Sequence, residues 1–120
     1  MNHRAPVNAK TRINQSMFRI LLALGAEQMH GYAIMQAFEE KTGGRERILP
    51  GTLYASLARM VKDGLVTELE DSEDGTSGGP RRRYYRRTEA GLAVARAESE
   101  RIQVLLEVAL GEDLLPGSVG

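Results

Sequence analysis

The sequence predicts a mainly α-helical fold with one small β-hairpin, and three observations support this prediction. Apolar residues recur at helical spacing in four separate segments. Between the third and fourth segments, Gly64 ends a helix, and residues 65–70 have the alternating, β-branched character of a short strand. A polar, glycine-rich gap follows, and residues 81–87 return as a basic and aromatic strand. This order of helix, strand, turn and strand is typical of a winged helix-turn-helix.

Composition limits the class of protein. With 120 residues the chain has the length of one domain, since domains commonly contain about 100 to 200 residues. Aromatic residues make up only 5% of the chain, so we expect a mostly aliphatic core. The longest apolar run, residues 20–26, is far shorter than the roughly 20 residues that span a bilayer, so we expect a cytoplasmic protein with no membrane partner. The absence of cysteine excludes a disulfide framework and a cysteine-rich zinc site.

Charge is distributed unevenly along a chain whose formal net charge is zero. A zero sum is unfavourable for binding nucleic acid, because neutralised phosphates supply most of the non-specific affinity. However, residues 1–26 contain four lysines and arginines and no acid, whereas residues 88–120 contain six acids and two arginines. This polarity favours a protein with one face turned to DNA, and a random scatter of charges is the alternative.

The first two helices follow a short basic arm. Residues 1–12 are positively charged and lack periodicity, which predicts a flexible arm. The apolar stripe of the first helix consists of Ile13, Met17, Ile20, Leu21 and Leu24. A second helix is predicted from His30 to about Thr42, because Gly43 and Gly44 accept the backbone geometry that ends a helix.

The third helix has the properties of a recognition helix, which enters the major groove of DNA. It begins near Pro50, which a first helical turn accepts because the missing N–H would have no partner there. At about 100° per residue, the apolar face consists of Leu53, Leu57, Met60 and Val61. The opposite face carries small and basic side chains that we expect to bind DNA: Thr52, Ala55, Ser56, Arg59 and Lys62, with Tyr54 at the border. Solvation of an ordinary surface helix is the alternative.

The predicted hairpin forms a wing beside this helix. Residues 71–80 make a polar turn, and five arginines lie on or near the second strand. The residues that we expect to contact the DNA backbone or the minor groove are Arg81, Arg82, Arg83 and Tyr84. Five acidic residues between Glu68 and Asp74 provide the alternative, a hairpin that neutralises its own arginines through cross-strand pairs.

Four short motifs, taken in order, resemble the PadR-like transcriptional regulators. They are His30-Gly31-Tyr32, Gly51-Thr52-Leu53-Tyr54, Gly64-Leu65-Val66, and Arg83-Tyr84-Tyr85 with Thr88-Glu89-Ala90-Gly91, and the likeness covers roughly residues 16–110. The resemblance implies a dimeric winged-helix protein, and it implies that the DNA is released by a small-molecule effector, as in many relatives, or in response to another cellular signal. Three positions depart from the family pattern: Ala55 stands for a usual proline, Val61 for a common acidic residue and Arg87 for a usual leucine.

A long C-terminal helix is predicted over residues 89–110, with Thr88 as its N-cap. Its apolar residues recur in a heptad-like seam that consists of Leu92, Ala95, Ser99, Ile102, Leu106 and Ala109. A small domain cannot easily cover such a seam, so the seam implies a partner helix, and packing within the chain is the alternative. The resemblance implies that the partner is the same helix of a second copy, in a homodimer. The predicted domains are therefore a winged domain at 13–88, a dimerisation helix at 89–110 and a flexible tail at 111–120.

No catalytic or cofactor site is predicted. The two histidines, His3 and His30, have neither the spacing of a metal-binding HxxxH motif nor a Ser/Asp partner pattern. The glycines between 75 and 79 lie in a turn that leads to a strand, unlike a phosphate-binding loop before a helix. We therefore expect no enzyme activity, no metal and no cofactor.

These features together predict a homodimeric regulator that binds an inverted repeat in double-stranded DNA near a promoter. Repression by blocking the polymerase is the simplest outcome for a protein that has no activation domain. The competing function is a winged-helix module that binds another protein and has no specific affinity for DNA.

Overall fold

Helices make up most of the structure, and a small sheet packs against them. The structure is a computed structural model and describes residues 12–70 and 83–116. Its elements in chain order are helix α1 (Gln15–Ala23), strand β1 (Met29–His30), helices α2 (Gly31–Lys41) and α3 (Pro50–Lys62), strands β2 (Val66–Glu70) and β3 (Arg83–Arg87), and helix α4 (Glu89–Gly111). The strands form an antiparallel sheet in the order β1-β3-β2. The predicted winged helix-turn-helix with a long C-terminal helix is confirmed.

Local sequence signals explain where these helices begin. Helix α3 begins at Pro50, as predicted. At α2, His30 Nδ1 accepts a hydrogen bond from the Ala33 N–H at 3.2 Å. At α4, the Thr88 hydroxyl oxygen accepts from the Gly91 N–H at 3.0 Å, which confirms the predicted N-cap. Each side chain satisfies an N–H that has no acceptor within its own helix, and such a cap is typically worth about 1 kcal/mol.

The core is aliphatic, as the low aromatic content predicts. The largest fully buried side chains are Ile20, Leu21, Leu24, Ile34, Leu53, Leu57, Met60, Leu65 and Val94. Phe38 and Tyr85 are its buried aromatic members. Because Val94 belongs to this core, the first turns of α4 are held against the winged domain.

The sheet has one strand more than the predicted hairpin. Strand β1 contains only two residues, and it pairs with β3 so that Met29 lies opposite Tyr85 and His30 opposite Tyr84. A two-residue strand has no periodicity, so the sequence pattern does not reveal it. Because side chains alternate along a strand, Arg83 and Tyr85 share one face of the sheet and Tyr84 lies on the other.

The junction between β3 and α4, formed by Arg87, Thr88 and Gly91, is closely packed. A Cβ on Gly91 would overlap the carbonyl oxygen of Leu65 and would lie 3.1 Å from Arg87 Cγ. The Thr88 hydroxyl donates to the carbonyl oxygens of Gly64 and Leu65, at 2.7 and 3.0 Å. Glycine is therefore required at 91, where the first turn of α4 rests on the backbone just before β2.

Arg87, which stands where the family pattern has leucine, is half-buried at this junction. Its aliphatic stem lies beside Gly91, and its Nη1 donates to the carbonyl oxygen of Leu24 at 2.9 Å. Lys41 Nζ donates to the carbonyl oxygens of Leu22 and Ala23, at 2.9 and 3.3 Å. Two cations from separate elements thus satisfy the last carbonyls of α1, at the negative end of its helix dipole.

Candidate nucleic-acid interface

The outward face of α3 has most of the predicted residues. Thr52, Ala55, Arg59 and Lys62 are exposed, and 50% of Tyr54 is exposed. Ser56 is only 9% exposed, so the prediction that it lies on the outward face is wrong. Three residues after Leu53 and four before Met60, Ser56 lies about 60° from Leu53 around the helix. Its polar character suggests the outer face, but its position places it on the inner one.

Arg59 is held in an oriented but open position on this face. Its Nε lies 3.3 Å from Asp63 Oδ2, one helical turn later, and 67% of the Arg59 side chain is exposed. An exposed ion pair of this kind contributes only about 0 to 1 kcal/mol. Asp63 therefore orients the guanidinium without preventing it from binding another group.

The two departures from the family pattern on α3 have different structural consequences. Val61 is half-buried and packs against the core, so an apolar residue there widens the buried stripe. Ala55 is exposed, so it leaves a small side chain on the outward face. The first change concerns the fold, and the second concerns the surface predicted to meet DNA.

The wing places its two described candidate residues on opposite faces of the sheet. Arg83 Nη1 forms an ion pair with Glu68 Oε2 at 3.0 Å, and 67% of the Arg83 side chain is exposed. The Tyr84 ring meets the His30 ring edge-on, with the two centroids 5.6 Å apart. One arginine of the wing is thus paired across the hairpin, as the self-neutralising alternative requires, but it remains in contact with solvent.

Other predicted features lie outside the described residues. Arg81 and Arg82 are among them, together with the turn at residues 71–80. Residues 1–11 of the predicted arm and residues 117–120 of the predicted tail lie outside as well. The DNA contacts proposed for Arg81 and Arg82 stay predictions from the sequence.

An open cavity of about 740 Å³, termed the tyrosine cavity, lies between the N-terminus of α2, helix α3 and strand β3. Its lining residues are His30, Gly31, Tyr32, Gln36, Tyr54, Arg83 and Tyr85. The Tyr54 ring covers Gly31 so closely that a Cβ there would lie 2.5 Å from the Tyr54 hydroxyl oxygen. Any larger residue at 31 would force this ring to move, so Gly31 and Tyr54 together shape the cavity.

The sequence pattern assigns only part of this cavity. It singles out Tyr54 and Arg83 for DNA binding, and it assigns His30 to the start of α2, where the structure finds it. Tyr32 and Tyr85 receive no role from the pattern. The glycine between His30 and Tyr32 is a signal of close approach, but no linear pattern shows that a residue of β3 faces the same space.

Tyr85 is a buried residue that lines the tyrosine cavity. Only 6% of the residue is exposed, and no hydrogen bond among the described residues involves its hydroxyl. No fully buried side-chain oxygen or nitrogen of the described residues lacks a hydrogen-bond partner. Burial raises the pKa of Tyr85, and Glu68 adds to the rise, while Arg83 opposes it and Tyr54 adds further. The hydroxyl therefore stays protonated and can donate.

The burial of the predicted seam on α4 changes near the middle of the helix. Its members differ in burial: Ala95 is buried, Leu92 and Ala109 are half-buried, and Ser99, Ile102 and Leu106 are exposed. The Ser99 hydroxyl donates to the Ala95 carbonyl oxygen at 2.8 Å, so this polar member of the seam is satisfied within its own helix. The early part of the seam packs against the winged domain, and the later part is uncovered in the single chain.

The exposed apolar surface of α4 is broader than the predicted seam. Val104, Leu105 and Val108 lie off the seam and are 57%, 56% and 57% exposed. Between residues 102 and 110 the helix is therefore apolar on most of its circumference. Even so, no helix in the described part of the chain is long and apolar enough to cross a membrane.

Comparison with known proteins places the chain among transcriptional regulators. Residues 20–97 match the model of the transcriptional regulator PadR-like family. The transcriptional regulator Rv3488 of Mycobacterium tuberculosis is 38% identical over 65 residues, which cover 54% of this chain and 57% of that protein. An uncharacterized 37.1 kDa protein in transposon TN4556 of Streptomyces fradiae is 42% identical over 60 residues, which cover 50% of this chain and 17% of that protein. The chain thus matches less than two thirds of the length of either relative.

Solved structures share the fold. A transcriptional regulator from Clostridium thermocellum has a TM-score of 0.66 and 28% identity, with 77% of this chain and 86% of that chain covered. A PadR family transcriptional regulator from Eggerthella lenta has a TM-score of 0.66 and 29% identity, with 84% and 82% covered. The family match runs from the end of α1 through α2, α3 and the wing to the start of α4, and it confirms the resemblance found in the four motifs. This chain belongs to the PadR-like family of transcriptional regulators, which are DNA-binding regulators rather than enzymes.

Proposed function

We propose that the protein is a homodimeric repressor that binds an inverted repeat in double-stranded DNA near a promoter. The observation that carries this proposal is the exposed face of α3, with small and basic side chains, beside the exposed Arg83 of the wing. Membership in the PadR-like family supports regulation through DNA binding. The homodimer, the symmetric operator and the repression are inferred from the residues of this chain.

Helix α3 reads the major groove with its first turns. Thr52 and Ala55 are small and exposed, so the helix axis can approach the base edges closely. Arg59 has the reach for a bidentate contact with guanine O6 and N7, the commonest specific contact in the major groove. Lys62, exposed at the end of the helix, and Arg83 on the wing suit phosphate groups, which position the protein on the duplex.

Helix α4 supplies the dimer contact. Seven of the nine residues from Ile102 to Leu110 are apolar, and a helix that is apolar on most sides is normally buried. A second copy of the same helix covers this surface through a two-fold axis, which is the commonest symmetry of protein dimers. Two α3 helices related by this axis would read half-sites about 34 Å apart. A dimer seated on promoter DNA then blocks the polymerase.

Fluorescence anisotropy tests this proposal directly. The purified protein is titrated into labelled duplexes that tile the DNA upstream of its own gene, at two salt concentrations and with random duplex as competitor. We expect tight binding of two chains to one tile, with an affinity that falls steeply with salt. Weak and equal binding to every tile, and no enrichment from a random duplex pool, would favour a module that binds another protein.

Arg59→Ala separates base reading from backbone contact. Loss of a bidentate contact with guanine should weaken operator binding by about 1 to 3 kcal/mol and relax base preference at one position in each half-site. An equal loss on operator and random duplex would instead make Arg59 a phosphate contact. Asp63→Asn is the matched control, because it removes the ion-pair partner and leaves the guanidinium in place.

A further inference from the structure

Ala55 lies at the point of α3 that is farthest from the core. It is exposed, and at about 100° per residue it lies about 160° around the helix from both Leu53 and Leu57, which are fully buried. Its side chain is therefore the first that a duplex would meet if α3 entered the major groove. That side chain is a single methyl group, so the contact that it can make is apolar.

The neighbours of Ala55 leave this methyl group uncovered. Thr52 and Ala58, three residues before and after it, are small and exposed. The bulkier Tyr54 has its ring against Gly31, where an added Cβ would lie 2.5 Å from the Tyr54 hydroxyl oxygen. The backbone at Ala55 can therefore come close to the surface that α3 meets.

A methyl group on the major-groove edge of a base pair marks thymine. Thymine alone among the four bases presents an apolar group there, and alanine is one of the side chains that suit it. Cytosine, adenine and guanine present hydrogen-bonding groups at that edge instead. An alanine methyl group pressed against one of those groups would displace its water and offer no hydrogen bond in return. The exposed Ala55 side chain therefore favours thymine over the other three bases.

Arg59 sets the distance between this thymine and a guanine. It follows Ala55 by one helical turn, which is about 6 Å along the helix axis and about 40° around it. Its Nε lies 3.3 Å from Asp63 Oδ2, one turn farther from Ala55, so the guanidinium does not cover the methyl group. Because stacked base pairs are about 3.4 Å apart, residues one turn apart on a helix in the groove meet base pairs about one or two steps apart.

We propose that the Ala55 methyl group contacts the C5 methyl group of a thymine, about one or two base pairs from the guanine that Arg59 binds. This inference rests on the proposed function and names two bases of each half-site. Ala55 stands where the family pattern has proline, so the contact is a feature of this chain. Ala55 thus determines specificity, whereas the phosphate contacts proposed for Lys62 and Arg83 carry no base information.

Replacement of thymine by deoxyuridine tests this contact, because it removes the methyl group and keeps every hydrogen bond of the base pair. Each thymine of the operator is replaced in turn, at equivalent positions of both half-sites, and anisotropy measures the affinity. At one position the wild-type protein should lose about fourfold per half-site, the effect of about one buried methyl group. The other positions should change little.

Ala55→Gly should abolish this loss, because the protein no longer presents a methyl group to the base. The variant should bind the thymine and deoxyuridine operators equally, and as weakly as wild type binds the deoxyuridine operator. Ala58→Gly is the matched control. It makes the same change at an exposed position of the same helix, about 60° around from Ala55 on the side away from Arg59. It should keep the wild-type loss, and urea unfolding should show similar stability for the two glycine variants.

Each contrary outcome identifies what has failed. Specific binding of the operator with no effect of deoxyuridine at any position would overturn the thymine contact and leave the DNA-binding function intact. A loss that persists in Ala55→Gly and disappears in Thr52→Ser would assign the contact to the Thr52 methyl group instead. A loss that persists in both variants would come from the shape or stiffness of the DNA. If no duplex is bound specifically, the proposed function fails, and the inference that rests on it fails with it.

Discussion

The residues at the junction between β3 and α4 are tightly packed and buried. The outer end of β3 and residues 102–110 of α4, which lead away from it, are exposed to solvent; we term them the wing arm and the helical arm. At the junction, Gly91 rests on the Leu65 carbonyl and Val94 is fully buried. On the wing arm, the outer end of β3, Arg83 leaves 67% of its side chain exposed. On the helical arm, residues 102–110 of α4, Leu105 is 56% exposed. The side chains of the junction stabilise the fold, and those of the arms are exposed, as the proposed contacts with DNA and with a second chain require.

The arginines at the two ends of β3 show the same difference between the junction and the exposed wing arm. Arg83 and Arg87 lie on the same face of β3, at its two ends. Arg87 donates to the Leu24 carbonyl within the fold, whereas Arg83 is paired with Glu68 at the exposed end of the strand. Counting arginines along the strand therefore overestimates the charge available to DNA. The distance of each residue from the core decides whether its charge serves the fold or a partner.

Ile102→Glu should have the largest effect, because it places a charge on the exposed apolar surface of the helical arm and does not touch the junction. The new charge is solvated in the monomer, but it would have to be buried unpaired in the dimer. The dimer should therefore dissociate, and the operator affinity should fall by about 10² to 10⁴, the usual gain from linking two binding units. Light scattering after size exclusion measures the mass, and anisotropy measures the affinity.

Gln103→Glu is the matched control for this variant. It adds the same charge one residue away, at a position that is already polar and exposed. We expect it to remain dimeric. An Ile102→Glu protein that also remains dimeric would show that the chains associate through another surface.

Gly91→Ala should disrupt the packing of the junction and destabilise the fold. The added Cβ would overlap the Leu65 carbonyl oxygen, a backbone atom that cannot turn aside as a side chain can. Overpacking of this kind should lower the free energy of unfolding by about 2 to 3 kcal/mol. Urea unfolding at one fixed protein concentration measures the loss. Gly111→Ala, at the end of the same helix, is the control with no expected loss, because no atom lies within 4 Å of its added Cβ.

The closed region is easier to predict from the sequence than the open surfaces. The cap at Thr88 and the burial of Leu53 depend on residues a few positions apart, so the local pattern predicts both correctly. Gly31 and Tyr85 meet in one cavity only because β1, a strand too short to have a pattern, pairs with β3. Ser56 shows a second limit, since the residue type suggests exposure where the helical position requires burial.

The extent of the helical arm shows a third limit. A heptad template assumes one partner on one face, so it selects Ile102 and Leu106 and passes over the more exposed Leu105 and Val108. Their exposure becomes evident only when the winged domain is known to cover the first turns of α4 and no more. The kind of surface is thus predictable from the sequence, whereas its borders depend on tertiary packing.

Arg87→Ala and Arg87→Leu separate the two contributions of this residue to the junction. Alanine removes both the packed stem and the hydrogen bond to Leu24, whereas leucine, the usual family residue, removes only the hydrogen bond. We expect the free energy of unfolding to fall by about 2 kcal/mol for alanine and about 1 kcal/mol for leucine. The salt slope of DNA binding should not change in either variant. A slope flattened by about 0.9 would contradict the division between junction and wing.

Glu68→Gln should have the smallest effect, and it sharpens the comparison at the outer end of the wing. The Glu68 carboxylate lies 3.0 Å from the Arg83 guanidinium and competes with a phosphate for it. Exposed ion pairs contribute about 0 to 1 kcal/mol, so releasing Arg83 should raise DNA affinity by up to about fivefold. The gain should be equal on operator and random duplex, because a phosphate contact carries no base information.

The same substitution in an Arg83→Ala background decides where that gain comes from. If Glu68 acts only by holding Arg83, Glu68→Gln should no longer tighten binding once the arginine is absent, and anisotropy on random duplex would show equal affinities. A gain that persists would mean that the carboxylate acts on the electrostatic field of the whole wing. The wing arm would then act as one charged surface, and the assignment of individual phosphate contacts to its arginines would lose its basis.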